Sequence, residues 1–298
     1  MSHLAHDRLI LVPLASGSRG NCTFIGDERS GVLIDCGLST RQIERRMDAV
    51  GLRANIEAVL VTHEHADHVG AARRLSDRLV VRQGEAVPFY MTMGTRNGLP
   101  PQCVPTLRRR VHTGQSFRIG RFEIEPFAVP HDTVEPCGYA VSLGATRAAV
   151  VTDLGRPTRL VETVLAQVDL ALIEFNHDLQ MLLDGSYPWS LKARVKGPHG
   201  HLSNAQGGEL LRAGAEGRLR KVALAHLSEE NNRPEVALEA AHAALGGRSL
   251  GVTVALQDAP SERLAVDAGW DIPTRRTRVS EAPRDDAHKQ MGLFGRVA

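Results

Sequence analysis

Short aliphatic runs recur along the chain at spacings that suit β-strands, and between them lie segments whose apolar residues repeat every three or four positions. The first run, LILVPLAS, follows an aspartate and is read as a strand. VLID near residue 33, EAVLVT before His63, LVVR near 80, FEIEPFAV near 125 and AAVVTD before Asp153 are predicted strands, as are LALIEF near 172, VALAHL near 224 and VTVAL near 254. Amphipathic helices are predicted over roughly 39–50, 66–76, 158–167, 203–214 and 234–245, with Ser203 and Gln206 placed to form a capping box. Alternating strands and helices, with a hairpin-rich stretch between about 80 and 150, predict a mixed α/β architecture with helices packed outside sheets. From about Pro260 the periodicity fails and the residues are polar and rich in arginine. The expected organisation is therefore one domain over 1–258 followed by a flexible tail over 259–298.

Composition narrows the field modestly. Among 298 residues, 42% are hydrophobic and 23% charged, as in ordinary globular proteins, but only 4% are aromatic, so any stacking on bases must rest on few rings. A net charge of +2 is too mild to demand a nucleic-acid partner, although arginines cluster at Arg41, Arg45 and Arg46, at Arg73, Arg74 and Arg78, and at Arg108 to Arg110. No apolar stretch approaches the roughly 18 residues of a spanning helix, and the N-terminus lacks the pattern of a signal peptide. Four cysteines, Cys22, Cys36, Cys103 and Cys137, show no CxxC spacing and fit reduced thiols in a cytoplasmic protein.

Candidate chemistry concentrates in Thr62-His63-Glu64-His65-Ala66-Asp67-His68, directly after an apolar run and before a helical pattern. Alternate side chains of an extended segment point the same way, so His63 and His65 can converge on one ion. As the chain turns into a helix, Asp67 and His68 are aimed at a second position. Imidazole and carboxylate ligands suit zinc, manganese or iron. Ser16-Gly17-Ser18-Arg19-Gly20-Asn21 could either offer backbone N–H groups to an anion or form a tight turn.

The His-x-His-x-Asp-His motif resembles that of the metallo-β-lactamase superfamily, which implies a four-layer αββα sandwich with a metal site at one edge. By that resemblance His63, His65 and His131 hold one divalent ion, Asp67, His68 and His226 hold another, and Asp153 bridges them. Asp35 in LIDCG resembles the strand-end aspartate that orients ligands. LASGSRGNCTFI (14–25), LIDCGLSTRQIERR (33–46), THEHADHVGA (62–71), VTDLG (151–155), EFNHD (174–178), YPWSLKARVKGPHGHLSN (187–204) and AHLSEENNRPEVA (225–237) together resemble the YycJ/VicX/WalJ-type subfamily. Phe175 stands where that subfamily's pattern suggests a small residue. Resemblance to the related enzymes that process tRNA ends further implies His201 as a phosphate contact or general acid, with Glu174 and His177 supporting it. Asp67 counts among the catalytic residues as well as the ligands.

The implied activity is metal-dependent phosphodiester hydrolysis, as a 5′ to 3′ exonuclease on single-stranded DNA linked to repair, with RNA as a second substrate to test. The same ligands could serve a hydrolase of thioesters, lactones or small phosphodiesters. A non-enzymatic adaptor with a structural ion fits less well, because such an ion needs only four closed ligands. In the tail, Gln290, Leu293 and Phe294 resemble the short motif that docks bacterial DNA proteins on the replication sliding clamp.

Overall fold

A computed structural model describes residues 8–267. Its first sheet contains β1 (Arg8–Ala15), β2 (Cys22–Gly26), β3 (Ser30–Ile34), β4 (Asn55–Leu60), β5 (Phe89–Met91) and β6 (Arg108–Arg110) in sequential order. The second contains β7 (Phe117–Ile119), β8 (Phe122–Ala128), β9 (Cys137–Leu143), β10 (Thr146–Val151), β11 (Leu170–Glu174), β12 (Lys221–Ala225) and β13 (Gly251–Val254), also in order. The chain then returns as β14 (Leu264–Asp267), which pairs antiparallel with β1. Residues 259–267 were expected in the tail. Of these, Leu264–Asp267 complete the first sheet, because Leu264 and Ala265 find apolar cover there despite their polar neighbours.

Strand alternation explains the layering. In β1, Ile10, Val12 and Leu14 face one way, into a core shared with Ile43 and Met47 of α1 (Thr40–Ala49), and with Leu75 and Leu79, described below. Leu9 and Leu11 face the other way, into a core between the sheets that includes Ile124, Tyr139, Val150 and Leu172. On the far side of the second sheet, Ala149, Val151, Ala171 and Ile173 pack against Val161, Val164, Leu210, Leu211, Ala237 and Ala241. Strands covered on both faces read as unbroken apolar runs, as these do. The result is helix, sheet, sheet, helix, the expected αββα arrangement.

The described helices follow familiar rules of capping and periodicity. After α1, which a Ser39–Gln42 capping box opens, come α2 (Ala66–Val69) and α3 (Ala72–Gln83). LVVR, predicted as a strand, is the last turn of α3. Leu75 and Leu79 are four apart on its buried face and outweigh the β-branched pair Val80 and Val81, which point to solvent. Next are α4 (Met93–Gly98), α5 (Arg159–Leu165), α6 (Leu179–Asp184), α7 (Trp189–Val195), α8 (Asn204–Glu216) and α9 (Pro234–Leu245). The Ser203–Gln206 capping box opens α8, and Pro at the first position opens α9.

The direction of the strands positions the site. β3 and β4 run parallel, as do β10, β11 and β12, while β8 has the same sense as β10 through two antiparallel steps. The C-terminal ends of β3 and β4 therefore share one edge of the first sheet and those of β8, β10, β11 and β12 one edge of the second, the edge on which parallel strands commonly carry ligands. His68 beside Asp153 shows the two edges meeting.

Candidate metal centre

Asp35, His63, His131, Asp153, Glu174 and His226 all sit at or just beyond those strand ends. Among the described residues, the non-glycine positions with left-handed backbone are Asp35 (φ 61°), Asp153 (φ 60°) and His226 (φ 55°). Each such conformation costs about 1–3 kcal/mol, and such strain gathers at functional sites. Here it turns three strand ends abruptly inward.

Asp35 acts as the keystone of the first sheet's contribution. Its carboxylate accepts from the Thr62 backbone N–H and the Thr62 hydroxyl, both at 2.8 Å, and from His68 Nδ1 at 2.8 Å. A carboxylate can only accept, so His68 carries its proton on Nδ1 and turns Nε2 inward. Thr62, having spent its proton on Asp35, accepts from His63 Nδ1 at 3.0 Å. His131 donates Nδ1 to the Gly200 carbonyl at 3.2 Å. These contacts leave the inward nitrogens as lone-pair donors. His63 Nε2 lies 3.1 Å from His65 Nδ1, which lies 3.3 Å from His131 Nε2.

His63 and His131 turn lone pairs toward His65 Nδ1, and a cation held among the three nitrogens would be bound by all of them. Nitrogens ligated at 2.0–2.1 Å around one tetrahedral ion stand about 3.4 Å apart, close to the spacing found. A second group joins Asp67, His68 and His226, and Asp153 joins His63 and His68, each group presenting one ligand atom per residue within 4.8 Å. His68 Nε2 lies 3.5 Å from Asp67 and 3.3 Å from Asp153, and His226 Nε2 lies 3.7 and 3.5 Å from the same carboxylates. Asp153 Oδ2 and His226 Nε2 are buried with no hydrogen-bond partner. Such orphaned atoms are costly unless a ligand completes them, so the donor set fits divalent ions.

Electrostatics reports the same arrangement without the ions. Burial opposes the charged form of His226, but Asp153 and Asp67 overcome it and push its pKa up to about 9. His68 is likewise raised well above the ordinary histidine value, burial being outweighed by Asp153, Asp35 and Asp67. Burial would raise the carboxyl of Asp153, but His226 and His68 hold it well below the usual range. By contrast, burial lowers His63, with His68 adding repulsion, and burial also lowers His131.

Glu174 and His201 stand beside this cluster. His201 Nδ1 is 2.7 Å from Glu174 Oε1 and 3.6 Å from Asp153 Oδ1, while Glu174 Oε2 accepts from the Leu154 N–H at 3.0 Å. Glu174, His201, Asp153 and His226 form a further compact group. Burial disfavours the His201 cation, yet Glu174 raises its pKa above the ordinary value. His177 is not brought into these groups. It is buried, its Nδ1 lacks a partner, burial pushes its pKa down to about 4, and its backbone ties Leu202 and Asn204 to the end of β11. His199 is exposed.

The Ser16–Asn21 segment proves to be a turn that braces the site. The N–H groups of Gly17, Arg19, Gly20 and Asn21 all donate to acceptors of the protein, so they are not available to an anion. Asn21 Nδ2 lies 3.3 Å from Asp67 Oδ2 and 3.0 Å from His68 Nε2, and Ser16 Oγ accepts from the His226 N–H. Asn176 donates to the His226 carbonyl, and Asp132 links His131 at 3.3 Å to Arg194. Sequence reasoning did not single out Asn21, Asn176 or Asp132. Their signal lay only in adjacency, Asn21 ending a glycine turn and the others flanking Glu174 and His131. Phe175, the departure from the subfamily pattern, is fully buried and packs over Gly207, where a Cβ would come within 2.8 Å of its ring.

The Gln290, Leu293 and Phe294 motif lies outside the described residues. Among those described, no helix is long and apolar enough to cross a membrane.

Comparison with known proteins agrees with this geometry. Residues 31–226 match the model of the beta-lactamase superfamily domain. Exodeoxyribonuclease YycJ of Bacillus anthracis is 32% identical over 251 residues, covering 82% of this chain and 92% of the relative. Exodeoxyribonuclease WalJ of Streptococcus pneumoniae serotype 2 is 32% identical over 226 residues, covering 75% and 83%. The crystal structure of the metallo-beta-lactamase fold protein YhfI from Bacillus subtilis superposes with a TM-score of 0.65 at 14% identity, covering 87% of this chain and all of that one, and so shows the shared fold. Strand-end ligands, αββα layers and sequence together place this chain in the metallo-β-lactamase superfamily, within its YycJ/WalJ-type subfamily.

Proposed function

We propose that this protein is a metal-dependent exonuclease that degrades single-stranded DNA from the 5′ end, in DNA repair. The observation that carries this reading is His201, held by Glu174 beside both ligand groups, in a chain similar to two exodeoxyribonucleases. In it His63, His65 and His131 hold one ion, Asp67, His68 and His226 another, and Asp153 both, with zinc or manganese as the expected metals and iron a third candidate. Bound there, divalent ions neutralise phosphate charge and lower the pKa of water. Glu174 Oε1 accepts from His201 Nδ1, which leaves Nε2 to protonate the departing oxygen of the cleaved phosphodiester. Asp35 and Thr62 fix the tautomers of His68 and His63, and Asn21 restrains Asp67. Gln290, Leu293 and Phe294 are proposed to dock on the sliding clamp, raising the local concentration of DNA. Loss of clamp binding in a Leu293→Ala/Phe294→Ala variant tests that element alone.

The test of the activity is hydrolysis of 5′- and 3′-labelled single-stranded DNA, with RNA and a thioester in parallel, in the presence and absence of a chelator. Chelator-sensitive release of mononucleotides from the 5′ end is expected. Turnover of the thioester with none of DNA would overturn the proposal in favour of a small-molecule hydrolase.

A further inference from the structure

The metal centre opens on one side into a cleft of about 330 Å³. A larger hollow of about 720 Å³ elsewhere on the molecule, lined by Asn55, Arg82 and Arg118, contains none of the site residues. The smaller cleft is lined by His201 and His226, by Tyr187, Leu191 and Val195 from one segment, and by Leu227 to Asn231 from another, where Glu229 pairs with Arg19 and Glu230 accepts from Ser186. Leu191 and Val195 are four apart on α7 and so share a face, and Tyr187 precedes that helix in the 185–188 connection.

That connection is held in place from several points. The Ser186 hydroxyl donates to Glu230, and Gly185 packs so closely on Asn231 that a Cβ there would come within 2.7 Å of its Oδ1. Lys192, buried on α7, donates Nζ to the Leu183 carbonyl at 2.7 Å and ties the helix back to α6. The aromatic wall is thus pre-positioned, and little ordering remains to be done when a ligand enters.

One side of the cleft is apolar and carries one ring, and the facing side is polar with its two carboxylates already partnered by Arg19 and Ser186. Such a slot beside the reacting centre suits a ligand with a flat aromatic face and polar edges attached to an anionic group. We infer that this cleft seats the nucleoside attached to the scissile phosphate, with its base stacked on Tyr187. The inference rests on the nuclease reading and adds a base-binding position to it. Stacking of this kind tolerates any base, because every base has a π-face, and it fits a chain so poor in aromatic residues that a single ring at the site matters. It also requires an unpaired base, which gives a physical reason for acting on single strands.

The test is a cycle between the ring and the base. Cleavage of single-stranded oligonucleotides with a normal or an abasic residue at the terminal position is measured for the native protein, Tyr187→Phe and Tyr187→Leu, with metal content followed in each. The native protein and Tyr187→Phe should cleave the abasic substrate with kcat/KM roughly tenfold or more below normal, the scale of one base–aromatic stack. Tyr187→Leu should lose about that factor on the normal substrate and none on the abasic one, with metal content unchanged. Equal abasic penalties in the native protein and Tyr187→Leu would overturn the inference and leave the nuclease reading intact. No DNA cleavage by the native protein would overturn both.

Discussion

The two sheets contribute to one centre in opposite ways. The first sheet supplies His63, His65, Asp67 and His68 from six consecutive residues, with Asp35 and Thr62 fixing His63 and His68 through direct hydrogen bonds. The second supplies His131, Asp153, Glu174 and His226 from strand ends spread over about a third of the chain, with His201 added from the connection between α7 and α8, and its parallel strands bring Asp153, Glu174 and His226 together. A local motif concentrates candidate donors on one side of the centre. Distant strand ends face it from the other side, with left-handed backbone at Asp153 and His226 as at Asp35 in the first sheet.

The sharpest way to break this comparison is at Asp153, the carboxylate that both ligand groups approach. Asp153→Ala should abolish hydrolysis and remove both ions, whereas His65→Ala should abolish hydrolysis while sparing the Asp67, His68 and His226 group. Elemental analysis of the purified variants checks this, and equal metal content in the two would show that Asp153 is not shared. A step smaller, His201→Ala should lower turnover by roughly 10²- to 10⁴-fold with metal content unchanged, the usual scale for a general acid. If metal is lost along with activity, His201 is a ligand and the division of labour fails.

Asp35→Asn probes the first sheet's way of holding its ligands. The amide cannot accept from all three of its present donors, so metal affinity should fall about 10- to 100-fold, as measured by competition with a chromogenic chelator. An unchanged affinity would show that Thr62 and the local backbone suffice to orient His68.

The smallest expected effect is on pH dependence. In metal-stripped protein the folded pKa of His226, about 9, lies above the ordinary 6.5. The stabilisation from its ion pairs is therefore complete below pH 6.5 and is lost as pH rises through about 9. The melting temperature of stripped protein should fall across that window, and added metal should flatten the decline. A melting temperature that rises over the same range would contradict the assigned ion pairs.

The asymmetry between the sheets also explains what the sequence made legible. Thr62 to His68 could be read directly, because spacing and residue type coincide in one short segment. His131, Asp153 and His226 became candidates only through family resemblance, since a single histidine or aspartate after a strand carries no distinguishing local pattern. LVVR was misread because two adjacent valines favour a strand locally, while the cover that decides its helical state comes from distant residues such as Ile43 and Met47. β14 escaped notice for a similar reason, its pairing with β1 spanning more than 250 positions. Asn21 and Asn176 act through contacts with backbone and ligands that no spacing rule encodes.

Seven side chains from two sheets are proposed to hold two ions with Asp153 in common. Anomalous diffraction from crystals of the protein grown with manganese tests it directly. Two peaks are expected, one among His63, His65 and His131 and one among Asp67, His68 and His226, each within ligand distance of Asp153. A single peak, or a second peak remote from Asp153, would contradict it.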